Sequence, residues 1–260
     1  MIDEFRYNYV VTCTATLRPE LLLETLVSHK ENLFRNTTTS AKFIINIDCV
    51  GSEDVDSKLG DILRIINSQG FAAVSYRVAN EPHFPTAFRY VMTEACQLNT
   101  PLIFHLEEDW KLLMPINFLD MIGWFYTKRR LAHLRLSQFK GEVNTMKCWN
   151  KFIEWNGDWY GIDGTLRREI GWAGHPSLNR KRWMQKVLDY IDWDHNPEKQ
   201  IKGRKFGHPM NELLDEWEFG VYHPRSAPPA VEDIGRQWMV DNGYRKAGNK
   251  AWFTNWEAAQ

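Results

Sequence analysis

Along the first 113 residues, short β-branched apolar runs alternate with segments whose apolar positions repeat at helical spacing. YNYVVTCTAT (7–16) reads as a strand, because Tyr, Val and Thr suit a pleated, half-buried surface. RPELLLETLVSHKENL (18–33) follows, with Pro19 near a helix start and apolar residues at 22, 23, 26 and 33. KFIINIDCV (42–50) is a second strand, and EDVDSKLGDILRIINSQG (53–70) a helix ending at Gly70. AAVSYRV (72–78) is a third strand, TAFRYVMTEACQL (86–98) a helix and PLIFHL (101–106) a fourth strand. This order predicts the α/β class with a doubly wound, mostly parallel sheet.

The second half is less periodic. NFLDMIGWFYTKRRL (117–131) reads as a helix and AHLRLSQF (132–139) as a strand. Residues 140–175 read as long loops rich in Gly, Trp and charge. LNRKRWMQKVLDYIDW (178–193) reads as an amphipathic helix and NPEKQIKGRKFGHP (196–209) as a basic loop. MNELLDEWEFG (210–220) reads as a short helix stopped by Gly220, VYHPRSAPPAVEDIG (221–235) as extended, and the tail has no clear pattern.

Ligands of open parallel sheets sit outside the carboxyl ends of the strands. Three polar features fall there: the TATLRPE turn, Asp48, and the run Glu107, Glu108, Asp109 that closes the fourth strand. Adjacent carboxylates repel, and a hard divalent cation such as Mg²⁺ or Mn²⁺ relieves the repulsion.

Charge and composition add a partner class. Residues 1–127 carry 10 Lys and Arg against 16 Asp and Glu; residues 128–260 carry 22 against 17. The second half also holds most of the 12 tryptophans. A basic, aromatic half suits an anionic partner or one that stacks: a phosphorylated donor, a glycan or a nucleic acid. The four cysteines show neither zinc spacing nor a disulfide framework. No apolar stretch approaches a membrane span. The reading is a chain without stable membrane insertion in a reducing, cytoplasmic setting.

In this order, the segments resemble the GT-A glycosyltransferases, especially family-2-like enzymes. TATLRPELLLETLVS resembles their opening strand–turn–helix, IDCVGSEDV their D-x-G-S-x-D segment, and IFHLEEDW the strand ending in a DxD-like motif. HPMNELLDEWEFGVYHP resembles the stretch carrying the catalytic base, and VEDIG the late position where many relatives place a metal-binding His. The resemblance implies one continuous domain: a Rossmann-like donor-binding half at 1–113, an irregular acceptor-binding and catalytic half at 114–235, and a tail at 236–260. It implies a nucleotide-sugar donor, UDP-sugar favoured, a Mn²⁺ or Mg²⁺ cofactor, and transfer to an acceptor hydroxyl with a carboxylate base.

On that resemblance Thr14, Arg18, Asp48, Glu107 and Glu108 meet the donor. Asp109 binds the metal, with Asp233 or its rival His223 completing the shell. Glu212 is the expected base, with Asp215 and Glu216 as substitutes, and Asp163 is a further candidate beside the acceptor. Trp172, His175, Arg180 and Arg182 are expected to shape the acceptor side, by stacking and by phosphate contacts. The acceptor is a glycan, a lipid-linked sugar or a hydroxymethylated base in DNA. Two other functions stay open. A sugar nucleotidyltransferase usually carries a Gly-rich loop after the first strand, where TCTATLRPE has no Gly. A binding module without catalysis would use the Trp-rich, basic half.

Overall fold

The apolar runs of the first half form strands that pair in parallel: β1 (Tyr9–Thr16), β2 (Ala41–Asp48), β3 (Ala73–Ala79) and β4 (Leu102–Glu107). Between them run α1 (Pro19–His29), α2 (Val55–Ser68) and α3 (Phe84–Gln97). Local chemistry sets their starts. Pro19 opens α1, Asp54 caps α2 by accepting from Ser57 N at 3.3 Å, and His83 caps α3 by accepting from Thr86 N at 3.3 Å. The computed structural model describes residues 9–50, 54–138, 152–170, 172–201, 208–223, 229–247 and 255–258.

The second half holds more regular structure than its pattern predicts. In chain order it contains β5 (Trp110–Leu112), α4 (Phe118–Thr127), β6 (Leu131–Leu136), β7 (Phe152–Glu154), β8 (Trp159–Ile162), α5 (Gly164–Ile170), β9 (Ser177–Arg180) and α6 (Lys181–Leu188). Then come α7 (Pro197–Ile201), α8 (His208–Glu216), β10 (Glu218–Tyr222), β11 (Val231–Asp233), α9 (Gly235–Asp241), β12 (Tyr244–Ala247) and β13 (Asn255–Ala258).

Several expectations change. Part of the expected 140–175 loop is a hairpin and a helix; residues 139–151, with Cys148, lie outside the described residues. SLNR is not helical: Leu178 alternates with the buried Ser177 and Asn179, a period of two, so α6 starts only at Lys181. Gly220 lies inside β10 rather than stopping a helix. A side chain there would collide with Trp155 and Leu134, so the close packing needs Gly. Part of the expected basic loop at 196–209 is α7, opened by Pro197.

One nine-stranded sheet, ordered β3-β2-β1-β4-β9-β6-β10-β8-β7, runs through both halves. β9 is the antiparallel wedge between β4 and β6. Alternate residues of the strands feed two apolar layers. Val11, Cys13, Phe43 and Phe104 face α1, α2 and α4, and Val10, Ile44 and Ile103 face α3, α6 and α8. Among the described residues no helix is long and apolar enough to cross a membrane. Cys13, Cys49 and Cys96 are free thiols.

A π-helical turn, Lys30–Phe34, ends α1 and drives Phe34 into the first layer. Its ring lies 5.2 Å from Phe104, 5.5 Å from Phe118 and 5.8 Å from Tyr9. Truncating a ring so enclosed leaves a cavity. Phe34→Ala is therefore expected to lower unfolding free energy by about 3–5 kcal/mol, measured by urea denaturation.

Candidate active site

The register of the parallel strands aligns their carboxyl ends: Thr16 pairs with Asp48, and Thr14 with Glu107. The TATLRPE turn, Asp48 and the acidic run therefore share one rim, above a cleft of about 700 Å³. That volume suits a small-molecule ligand with several functional groups.

Glu108 ties the rim together. Its Oε1 accepts from Thr16 N at 3.0 Å, Thr16 Oγ1 at 2.7 Å, Arg18 Nε at 3.0 Å and Arg18 Nη2 at 2.5 Å. Its backbone N donates to Thr14 O at 3.2 Å, and its carbonyl accepts from Thr25 Oγ1 at 2.6 Å. The expected donor contact thus becomes an internal anchor. With Glu108 only 4% exposed, its charge is spent on the protein itself. Arg18 also donates through Nη2 to Asp109 Oδ2 at 2.9 Å. Burial works against the Arg18 charge, but Glu108 and Asp109 outweigh it and raise its pKa.

The neighbouring acids point into the cleft. Asp109 keeps 21% side-chain exposure. Burial and Glu108 push its pKa up to about 6 against the pull of Arg18, and Asp233 adds to the rise. Asp233 reaches this position because β11 pairs with β5, setting Asp233 opposite Trp110, and Ile234 N donates to Asp109 O at 2.9 Å. Gly235 lies flat on Asp109: a Cβ there would sit 2.1 Å from Asp109 Oδ2, so no larger residue fits. Burial, then Asp109 and Glu198, push Glu107 up to about 8, although Trp110 Nε1 donates to its Oε2 at 3.1 Å. At the far end, Asp48 accepts from Asn46 Nδ2 at 2.7 Å and from His83 N at 3.1 Å, while burial raises its pKa.

Among the described residues, six carboxylates line the cleft (Asp48, Glu107, Glu108, Asp109, Glu198 and Asp233) against two guanidiniums, Arg18 and Arg236. Such an excess of negative charge repels an anionic ligand unless a cation accompanies it. Among the described residues no three His, Cys, Asp or Glu side chains converge tightly enough to hold an ion alone. Asp109 and Asp233 do fit a divalent ion that takes its other ligands from phosphate and water, since hard cations choose oxygen donors.

Of the residues expected on the donor and metal sides, Thr14, Arg18, Asp48, Glu107, Glu108, Asp109 and Asp233 line the cleft, and so does His175 on the acceptor side. His175 stands against Trp110 at 5.4 Å and donates from Nε2 to Leu136 O at 3.1 Å.

Others lie elsewhere. Trp172 is fully buried, with Nε1 donating to Asn179 Oδ1 at 3.1 Å and Phe88 at 5.3 Å, so no ring face is open for stacking. Arg180 donates to the carbonyls of Leu131, Phe125 and Lys128 and is spent inside the fold. Arg182 is exposed on α6, outside the cleft. His223 is buried, its Nδ1 3.1 Å from Ser137 Oγ, and does not line the cleft.

The expected bases Glu212, Asp215, Glu216 and Asp163 also lie outside it. Met210, Leu213 and Leu214 take the buried face of α8, which leaves Glu212 and Asp215 on its solvent face, where Asp215 pairs with Arg168. Asp163 precedes α5, with its carbonyl accepting from Leu166 N at 2.9 Å. In their place the cleft presents Glu198, two residues past Asn196, whose Oδ1 accepts from Lys199 N at 3.3 Å. Asn-Pro-Glu is a helix-start pattern, and that signal marks this position in the sequence. His83, Gln138 and Arg236 also line the cleft without having been expected there.

No protein-family profile and no curated protein sequence matches the chain. Solved structures do. A mannosyltransferase from Pyrobaculum calidifontis, in complex with GDP-Man and Mn²⁺, superposes with TM-score 0.54 at 12% identity, over 92% of this chain and 61% of that one. TarS 1-349 of S. aureus, in complex with UDP-GlcNAc, gives 0.55 at 10% identity over 85% and 57%. The fold is that of the GT-A glycosyltransferases. GalNAc-T7, with UDP, GalNAc and Mn²⁺, gives 0.51 at 9% identity over 85% and 43%. The chain thus spans about two fifths to three fifths of these GT-A structures. The acid-lined rim lies where open α/β sheets place their ligands.

The raised acids make stability pH-dependent. A carboxyl whose folded pKa lies above its unfolded value contributes stability below the unfolded pKa, and loses it as pH rises through the folded value. For Glu107 the loss runs from about pH 4.5 to about 8. In EDTA, Glu107→Gln is expected to raise the melting temperature by several degrees at pH 8.5 and to leave it nearly unchanged at pH 4.5, as followed by differential scanning fluorimetry.

Proposed function

We propose that the chain transfers a sugar from a nucleoside-diphosphate donor to an acceptor hydroxyl, with a divalent cation, Mn²⁺ or Mg²⁺, between protein and diphosphate. The observation that carries this reading is the excess of carboxylates at the rim of the cleft, with Asp109 and Asp233 close enough for each charge to act on the other. A cleft of that charge accepts a diphosphate only together with a cation. When bound, the cation neutralises the charge developing on the leaving diphosphate.

The protein's own groups supply the rest. Asp48 accepts hydrogen bonds from the nucleobase or ribose, held in place by Asn46 and the His83 amide. Glu107 stands at the ribose, backed by Trp110 and by Gly174, where a Cβ would lie 3.1 Å from Glu107 Oε1. Arg18 is too firmly held by Glu108 to move and fixes Asp109. Glu198, in place of Glu212, takes the proton of the acceptor hydroxyl, which gives inversion when that hydroxyl attacks opposite the diphosphate. Trp110 and His175 form the wall beside it.

A glycan hydroxyl is the favoured acceptor. Of the groups expected to give a DNA acceptor its stacking and phosphate contacts, Trp172 and Arg180 are engaged inside the fold, and the exposed Arg182 lies outside the cleft. The relatives bind UDP or GDP sugars, so both nucleotides enter the test.

The test is turnover. Release of sugar from UDP- and GDP-sugars in Mn²⁺ is followed by chromatography, with and without oligosaccharide acceptors. Asp109→Asn is expected to abolish release, and Glu198→Gln to slow transfer by about 10²-fold or more with nucleotide binding retained. Full transfer by Glu198→Gln would remove it as the base, and turnover by wild type in EDTA would contradict the role of the cation.

A further inference from the structure

Two guanidiniums face the acidic cleft, and they are held very differently. Arg18 is 2% exposed, and its Nε and Nη2 are shared among Thr16, Glu108 and Asp109. Displacing it would dismantle the first turn. Arg236 projects from α9 with 62% of its side chain exposed. Among the described residues it meets one carboxylate, Asp233 Oδ2, through Nε at 2.9 Å. Water competes for the exposed Arg236 end of the pair, although Asp233 keeps only 17% side-chain exposure, so the pair holds Arg236 loosely.

The backbone that carries Arg236 is nonetheless fixed over the rim. β11 pairs with β5, Ile234 N is bonded to Asp109 O, and Gly235 lies on the Asp109 carboxylate. One turn later Trp238 Nε1 donates to Glu20 Oε1 at 2.6 Å, and its ring centre lies 5.3 Å from the Arg18 guanidinium. A rigid strap thus presents one loosely engaged cation beside the two carboxylates that suit a metal ion.

Resting on the transferase reading above, we infer that Arg236 is a donor-diphosphate ligand that exchanges partners: it pairs with Asp233 in the empty protein and closes on the diphosphate when a divalent cation takes that carboxylate. Electrostatics favours the exchange at Asp233, whose guanidinium partner is exposed and able to move, whereas Arg18 stays on Asp109 because Glu108 holds it. A guanidinium and a divalent ion on one carboxylate repel each other, and a diphosphate offers paired, charged oxygens that the planar guanidinium fork can bind bidentately. Before loading, Asp233 is matched by Arg236. After loading, Asp233 is matched by the ion and the diphosphate by the ion and Arg236 together. The long, exposed side chain makes the move without disturbing the strap.

The inference gives two binding constants opposite signs. Mn²⁺ binding to the nucleotide-free protein is measured by electron paramagnetic resonance, and UDP and GDP binding at saturating Mn²⁺ by calorimetry. In Arg236→Ala, Mn²⁺ alone is expected to bind ~2–5-fold tighter, because a competing surface pair is gone. The nucleoside diphosphate is expected to bind ~10-fold weaker or worse, because a charge-assisted contact is lost. Arg236→Lys restores part of the nucleotide affinity. A merely structural role weakens both constants together, and that result, or unchanged nucleotide affinity, overturns the inference alone. A wild-type chain that binds neither nucleotide in Mn²⁺ overturns the transferase reading as well.

Discussion

The site depends on the four hydrogen bonds that converge on Glu108 Oε1. They join the turn after β1 to the end of β4, two neighbours in the sheet. A carboxylate taken out of water is tolerated only when paired and hydrogen-bonded, and removing one partner of such a pair typically costs about 3–5 kcal/mol. Here the pairing is complete, so the turn that carries Arg18 and the acids on either side of Glu108 are fixed relative to each other. β4 ends at Glu107, and Glu108 and Asp109 form the turn into β5; with Glu108 anchored on Thr16 and Arg18, Glu107 and Asp109 are set at the rim of the cleft.

From that anchor the charge of the cleft follows. Arg18 satisfies Glu108 and part of Asp109, and Arg236 pairs with Asp233, so among the described residues the carboxylates that line the cleft still outnumber the guanidiniums that line it. Burial first, and the neighbouring acids after it, raise the pKa values of Glu107 and Asp109, so both hold a proton more readily than a carboxyl in water. On the proposed function, a metal ion that entered with a diphosphate would replace these protons and make an otherwise repulsive surface attractive to an anion. The strap formed by β11 and α9 completes the rim by carrying Asp233, Gly235 and Arg236 to it from more than a hundred residues away in sequence.

Much of the donor side was legible because its signals are local. A β-branched run, a polar strand end and a helix start adjoin in sequence, and parallel pairing then gathers the strand ends mechanically. The acceptor side was not legible in the same way. Acids at 212 and 215 look like a base in one dimension, but an amphipathic helix puts its charges on the solvent face for solubility alone. Trp172 has a stacking ring in composition and a core ring in the fold, because β9 brings Asn179 up to satisfy its indole N–H. The pairing of β5 with β11, which sets Asp233 beside Asp109, is a long-range event that no local pattern encodes. Glu198 lay behind a helix-start pattern that reads as a loop unless Asn196 and Pro197 are taken together.

The central claim is that this cleft admits a nucleoside diphosphate only in the company of a divalent cation. It is tested most directly by calorimetric titration of UDP and GDP into the wild-type protein, first in Mn²⁺ and then in EDTA. The account predicts saturable one-to-one binding of at least one nucleotide in Mn²⁺ and its loss in EDTA. Equal affinity in both buffers would contradict it.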